Sequence, residues 1–322
     1  MPLKMPKLID IHQHIVPPFY LAENHDKIAI ARGGKITPAW LEWSPQRAIE
    51  LMDESNVTAA VVSLSTPGVW FGDKASATKM ARRCNEYAAD LVNRYPGRFG
   101  FFGTVAAPHT DGALEEIAYA LDVLRADGIG LLTSYESSWL GNPIFDPVLQ
   151  ELNRRQAIVF VHPTAPLCCR NLLPDVPPVI AEVPQDTTRA IVNLLLTGTL
   201  SRFRDIRFIF SHAGGFVPMV LGRVHQYASK EAMARIPHGI EFELSRHYFD
   251  IAGTTYPSAV AALLKMVPVS QILFGSDGPY VPIGETISGL RALDLNDGEV
   301  RDISERNALR LLPMLDARLT SS

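Results

Sequence analysis

The 322-residue sequence has only three cysteines and no surplus of basic charge. It has no glycine-rich phosphate loop, and no apolar run reaches the ~20 residues that a membrane-spanning helix needs. Each shortage removes a class of protein. Cys84 stands alone in a helix-like stretch and Cys168 and Cys169 are adjacent, so the thiols build neither a disulfide framework nor a CxxC metal pattern, and they are assigned no role. A formal net charge of −4, with Lys and Arg scattered along the chain, offers no field for a phosphate backbone and argues against nucleic-acid binding. GxGxxG and GxxxxGK[ST] are both absent, which removes the usual nucleotide-binding loops. The amino-terminal MPLKMPKLIDIHQH runs into an extended segment without an apolar signal core, so no membrane contact and a cytoplasmic location are expected.

What the sequence does hold is alternation. Eight short segments rich in Val, Ile and Phe recur with helix-like stretches between them: KLIDIH, VTAAVVSLS, RFGFFGTVA, GIGLLT, AIVFVH, IRFIFSH, HYFDIAG and QILFGSD. Parallel strands covered by helices produce this pattern, and eight units predict a closed (β/α)8 TIM barrel as a single domain over residues 1–322. Ser44-Pro45 and Thr110-Asp111 are expected to start helices. Irregular loop insertions are expected after strand one (about 15–44) and strand five (about 163–183), on the face where barrels assemble their sites.

The chemically capable residues fall at carboxyl ends of the predicted strands. His12 and His14 end the first, His162 the fifth, His212 the sixth and Asp277 the eighth. Side chains two apart on a strand share a side, so a His-x-His pair can face one ion. With His162 and Asp277 it makes three nitrogens and one oxygen, a set suited to Zn2+, with Mn2+ also possible. His212, before Ala213-Gly214-Gly215, is read as an acid–base group next to that ion, with ligation the other option. Asp10 is expected to support the ligands from below, and His25, His109, His225, His238 and His247 to be surface or structural.

At IDIHQHIVPP, VHP, SHAGG and GSDGP the chain resembles the amidohydrolase superfamily, in its branch of non-hydrolytic decarboxylases typified by 2-amino-3-carboxymuconate-6-semialdehyde decarboxylase. The likeness spans nearly the whole length, and GIGLLTSY with WLGNPIFDPV is most similar to 6-methylsalicylate decarboxylases. Two-metal relatives carry a lysine at the end of strand four. This sequence has none there, which implies one ion. The resemblance implies loss of CO2 from a small aromatic, 2-hydroxybenzoate-like acid, with His212 or Asp277 as proton donor. It further implies that Arg47 binds the substrate carboxylate, that Arg223 reaches a site across a homodimer interface, and that Trp139 contacts the ring. The alternatives are a metal-dependent hydrolase or hydratase acting on a lactone or unsaturated acid, and a non-catalytic barrel.

Overall fold

The computed structural model describes residues 7–31, 36–169, 172–173 and 175–321. Eight parallel strands follow one another around a barrel: β1 Leu8–Ile15, β2 Val57–Leu64, β3 Phe99–Thr104, β4 Gly128–Leu132, β5 Ile158–His162, β6 Arg207–Phe210, β7 Tyr248–Asp250 and β8 Ile272–Leu273. Closure comes from the backbone just past β8. Ile11 N donates to Phe274 O (3.1 Å), Asp277 N to His12 O (2.8 Å) and His14 N to Gly278 O (2.8 Å). The (β/α)8 barrel expected from the alternation is therefore the observed architecture.

The strands carry apolar side chains on both faces because both are covered. On β5, Val159 and Val161 join the layer beneath the helices, while Ile158 and Phe160 join Ile9, Ile11, Val61 and Phe102 in a second layer. Leu311 and Leu315 of the carboxyl-terminal helices complete that second layer. Polar side chains collect at the carboxyl ends of the strands. The register between β1 and β2 slips between Asp10 and Gln13, a bulge that falls on His12.

Helices α1 Pro18–Ala31, α2 Pro45–Glu54, α3 Lys74–Arg94, α4 Thr110–Ala118, α5 Asp146–Arg154, α6 Glu182–Leu196, α7 Val217–Tyr227 and α8 Pro257–Met266 lie between or after these strands. Ser44 caps α2 as expected, its Oγ accepting from Arg47 N at 3.1 Å. Thr110 is instead the first residue of α4, and His109 occupies the capping position without a side-chain bond. The insertion after β1 is less irregular than expected, since it holds α1 and a short helix Pro38–Leu41. The insertion after β5 is mostly turns up to Glu182, with residues 170, 171 and 174 outside the described set. Among the described residues no helix is long and apolar enough to cross a membrane.

Candidate active site

Four imidazoles and one carboxylate converge at the carboxyl end of the barrel. His12 Nε2 lies 3.2 Å from His14 Nε2 and 3.3 Å from Asp277 Oδ1, and His14 Nε2 lies 3.0 Å from the same oxygen. His162 Nε2 is 3.9 Å from Asp277 Oδ1, and His212 Nε2 is 3.4 Å from Asp277 Oδ2. One ligand atom each from His12, His162, His212 and Asp277 falls within 4.8 Å of the others, a set of four in which His212 stands where His14 was expected. His212, Ala213 and Asp277 have φ of 54°, 57° and 66°, left-handed backbone that non-glycine residues adopt at a cost. These residues lie just after β6 and in the segment after β8, where the chain reaches the cluster.

The outer nitrogens separate the imidazoles. Nδ1 of His12 lies 3.0 Å from Asp250 Oδ2, Nδ1 of His14 lies 3.1 Å from Ser63 Oγ, and Nδ1 of His162 lies 2.8 Å from Pro163 O. With the Nδ1 proton held by an oxygen, each neutral ring turns an Nε2 lone pair to the centre. Nδ1 of His212 has no hydrogen-bond partner. The His212 side chain is also the most open, 12% exposed against 0%, 0% and 8% for His12, His14 and His162.

Lone pairs from three rings and a carboxylate oxygen, converging in a buried space, repel unless a cation lies among them. His162 Nε2 is buried with no hydrogen-bond partner. Burial opposes charge on His12, yet the carboxylates of Asp250 and Asp277 outweigh it and raise the ring to about 10, so a positive charge is favoured at this point. Burial lowers His14, and takes His162 down to about 3. Burial would raise Asp277 and Asp250, but the neighbouring imidazoles, His12 above all, hold both carboxylates below their ordinary range. The donor set fits a divalent ion, and a positive ion answers the two buried carboxylates better than a proton on one ring.

Asp250 is a site residue that sequence reading missed. Its Oδ2 holds His12, and its Oδ1 accepts from His212 N (3.1 Å) and Ala252 N (3.0 Å). It ends β7, so the positional rule that singled out Asp277 applied to it equally. Asp10 lies beneath the cluster, where its Oδ1 accepts from His12 N at 3.1 Å. It accepts from Ser276 Oγ (2.6 Å), Ser276 N (3.0 Å) and Gln13 Nε2 (2.8 Å), bracing the segment that carries Asp277.

With this geometry established, the match to known proteins is extensive. The amidohydrolase family matches residues 9–314. The chain belongs to the amidohydrolase family. A 6-methylsalicylic acid decarboxylase of Aspergillus aculeatus is 34% identical over 95% of this chain and 96% of its own. The crystal structure of an amidohydrolase II superposes with a TM-score of 0.88 at 30% identity, covering 95% of this chain and 100% of that one. A dihydroxybenzoic acid decarboxylase from Polaromonas sp. JS666, solved with bound manganese and 2-nitroresorcinol, shares the fold. Its TM-score is 0.81 at 18% identity, over 96% of this chain and 98% of that one.

The residues that this amidohydrolase was expected to use for substrate are placed apart from the histidine–aspartate cluster. Arg47 lies in the first turn of α2 with its side chain half exposed, and its guanidinium pairs with Glu50 at 3.0 Å, as an exposed helical ion pair does. The structure does not bring it to the cluster. Arg223 is exposed on α7, 5.1 Å above the Tyr227 ring. Trp139 is drawn away as well, because its indole N–H donates to buried Asp186 Oδ1 at 2.5 Å. A cavity of about 440 Å³ lies between Trp70, Phe71, Leu132, Tyr135, Glu136 and Thr164, and none of the cluster side chains lines it. Leu132 and Tyr135 also line the small inner space that reaches His162 and Ser63. Trp70, Phe71 and Tyr135 are the aromatic walls of the larger cavity, and Trp139 does not line it. The two glycines after His212 are required by packing, since a Cβ would lie 2.9 Å from the Phe249 ring at Gly214 and 2.2 Å from Pro184 O at Gly215.

Proposed function

We propose that this amidohydrolase is a metal-dependent, non-oxidative decarboxylase, a carbon–carbon lyase acting on a small aromatic acid of the 2-hydroxybenzoate or 6-methylsalicylate kind. The observation that carries the reading is the difference among the imidazoles. Three have Nδ1 held by an oxygen and Nε2 turned inward, while the fourth is more open and its Nδ1 has no partner. On that basis His12, His14, His162 and Asp277 hold one ion and His212 is the proton-transfer group. The similarity to 6-methylsalicylic acid decarboxylase supports the substrate class.

When bound, the ion supplies a Lewis acid that draws electron density from an oxygen donor and fixes its orientation. The remaining steps belong to the chain. The walls formed by Trp70, Leu132 and Tyr135 would hold the ring and exclude water. His212 Nε2 delivers a proton to the ring carbon bearing the carboxylate. The bond from that carbon to the carboxylate then breaks, its electron pair returns to the ring to restore aromaticity, and CO2 departs. Asp277 Oδ2, 3.4 Å from His212 Nε2, orients the donor nitrogen.

Three nitrogens with one carboxylate oxygen favour Zn2+, and Mn2+ is the competing occupant. A homodimer is also proposed. Phe216, Met219 and Tyr227, all substantially exposed, lie around Arg223 along α7, an apolar surface that a second copy would cover. Sedimentation at a single monomer mass would remove it.

Metal analysis joined to a substrate screen tests the function. The expected result is one ion per chain, CO2 release from hydroxybenzoates and no ring opening of lactones. His14→Ala should lose the ion, while His212→Ala should retain it and lose turnover at least 100-fold. Hydrolysis or hydration without CO2 would overturn the decarboxylase reading in favour of its alternatives.

A further inference from the structure

Asp186 is a buried carboxylate on α6 that the mechanism does not use, and it collects donors from three other segments. Its Oδ2 accepts from Thr133 Oγ1, Thr164 N (3.2 Å) and Ser134 Oγ (3.4 Å), and its Oδ1 accepts from Trp139 Nε1 (2.5 Å). Its side chain is completely inaccessible. Four donors on one carboxylate are more than anchoring a loop to a helix requires, and their positions in the chain are informative.

Thr133 follows β4 directly and Thr164 lies two residues beyond His162. Thr133 N donates to His162 O at 2.9 Å, and Thr133 Oγ1 also receives Thr164 N at 3.3 Å. The backbone is thereby fixed on both sides of Pro163. His12 and His14 are oriented by the side chains of Asp250 and Ser63, whereas His162 is oriented by the carbonyl of Pro163. That carbonyl holds the ring only as firmly as the peptide it belongs to.

We infer that Asp186 is a positioning residue for His162, acting through Thr133 and Thr164 to fix the Pro163 carbonyl and so the direction of His162 Nε2. The inference rests on the proposed ligand role of His162. Asp186 touches neither the cluster nor the cavity. Its effect is to set the aim of one ligand, and groups that orient metal-bound histidines commonly change affinity by roughly 10–100-fold when removed.

The test is Co2+ binding by the full-length protein, followed by titration and by the visible absorption of the bound ion. Asp186→Asn presents an amide N–H to donors that need an acceptor, and should weaken Co2+ binding by roughly 10–100-fold with a changed visible band. Trp139→Phe removes only the donor on Oδ1 and should leave Co2+ affinity within about twofold. If Asp186→Asn fails to fold, Thr133→Val removes the same link and is expected to weaken Co2+ in the same range. Wild-type affinity and spectrum in the folded Asp186→Asn or Thr133→Val protein would overturn the inference and leave Asp186 a loop anchor. Equal losses of affinity in Trp139→Phe and Asp186→Asn would overturn it too. His162→Ala separates the two levels. If it still binds Co2+ as wild type does, the ligand assignment itself is wrong, and the role of Asp186 falls with it.

Discussion

Asp250 decides which nitrogen of His12 faces the centre of the site. Its Oδ1 is committed to two backbone donors, His212 N and Ala252 N, so only Oδ2 is free for His12 Nδ1. In Asp250→Asn the amide oxygen is needed by those backbone donors, which turns the NH2 toward His12 Nδ1. That forces Nδ1 to accept and places the proton on Nε2, the tautomer that cannot ligate. Asp250→Ala leaves Nδ1 unpartnered but imposes no tautomer. Metal affinity should therefore fall by at least about 10-fold in both variants, and further in the isosteric one. Equilibrium dialysis in which Asp250→Asn binds as well as wild type, or better than Asp250→Ala, would reject this account. At this scale the sequence was legible wherever a residue type is scarce and its place in a strand pattern is plain. The clustered histidines and Asp277 met both conditions. Asp250 was masked by its ordinary setting in HYFDIAG, and Asp186 by its helix, because both owe their importance to partners far away in the chain.

Among the elements, the strands were the easiest to read, since burial on both faces leaves an apolar run of fixed length for each. All eight segments are strands in the structure, including β8, which pairs over only Ile272–Leu273 before the chain turns toward Asp277. The departures arise where tertiary contact overrides local pattern. The bulge between Asp10 and Gln13 interrupts a strand whose alternation looks regular in sequence, and it sits where His12 must clear the segment after β8. That segment packs tightly, because a Cβ on Gly275 would lie 2.7 Å from the Cβ of His12. The antiparallel pair Ser134–Tyr135 with Ser138–Trp139 was not expected, being two residues long on each side. Its Trp139 is held by Asp186, a contact 47 residues away that no local signal announces. Arg47 shows the opposite case. The cap at Ser44 was readable and fixes where α2 begins, and the Glu50 three residues on already offered the partner that Arg47 takes.

On the scale of the whole molecule, acid tolerance depends on a histidine remote from the chemistry. His247 precedes β7, is wholly buried and packs edge-on against Phe208 and Phe210 at ring separations of 5.3 and 5.9 Å. Neither of its ring nitrogens has a hydrogen-bond partner. Burial, with a smaller contribution from the Arg246 charge, lowers its pKa from 6.5 to about 3. Above pH 6.5 the folded and unfolded chains both carry it neutral, so it makes no pH-dependent difference. As pH falls below 6.5 the unfolded chain takes up a proton that the folded chain refuses until about pH 3, so stability declines through that window. One such group costs up to about 1.4 kcal/mol per pH unit. His247→Leu keeps a similar volume, removes two unsatisfied nitrogens and should be more stable than wild type by ~1–3 kcal/mol at neutral pH. Its advantage should widen by roughly 2 kcal/mol between pH 7 and pH 5, before most carboxylates titrate. Urea unfolding of both metal-loaded proteins across pH 7 to 5 measures that difference and cancels the contributions of other groups. Parallel curves would show that His247 finds a partner in solution and is not the source of acid sensitivity. Diverging curves would make His247, next to the strand whose other end carries Asp250, one source of the barrel's acid sensitivity.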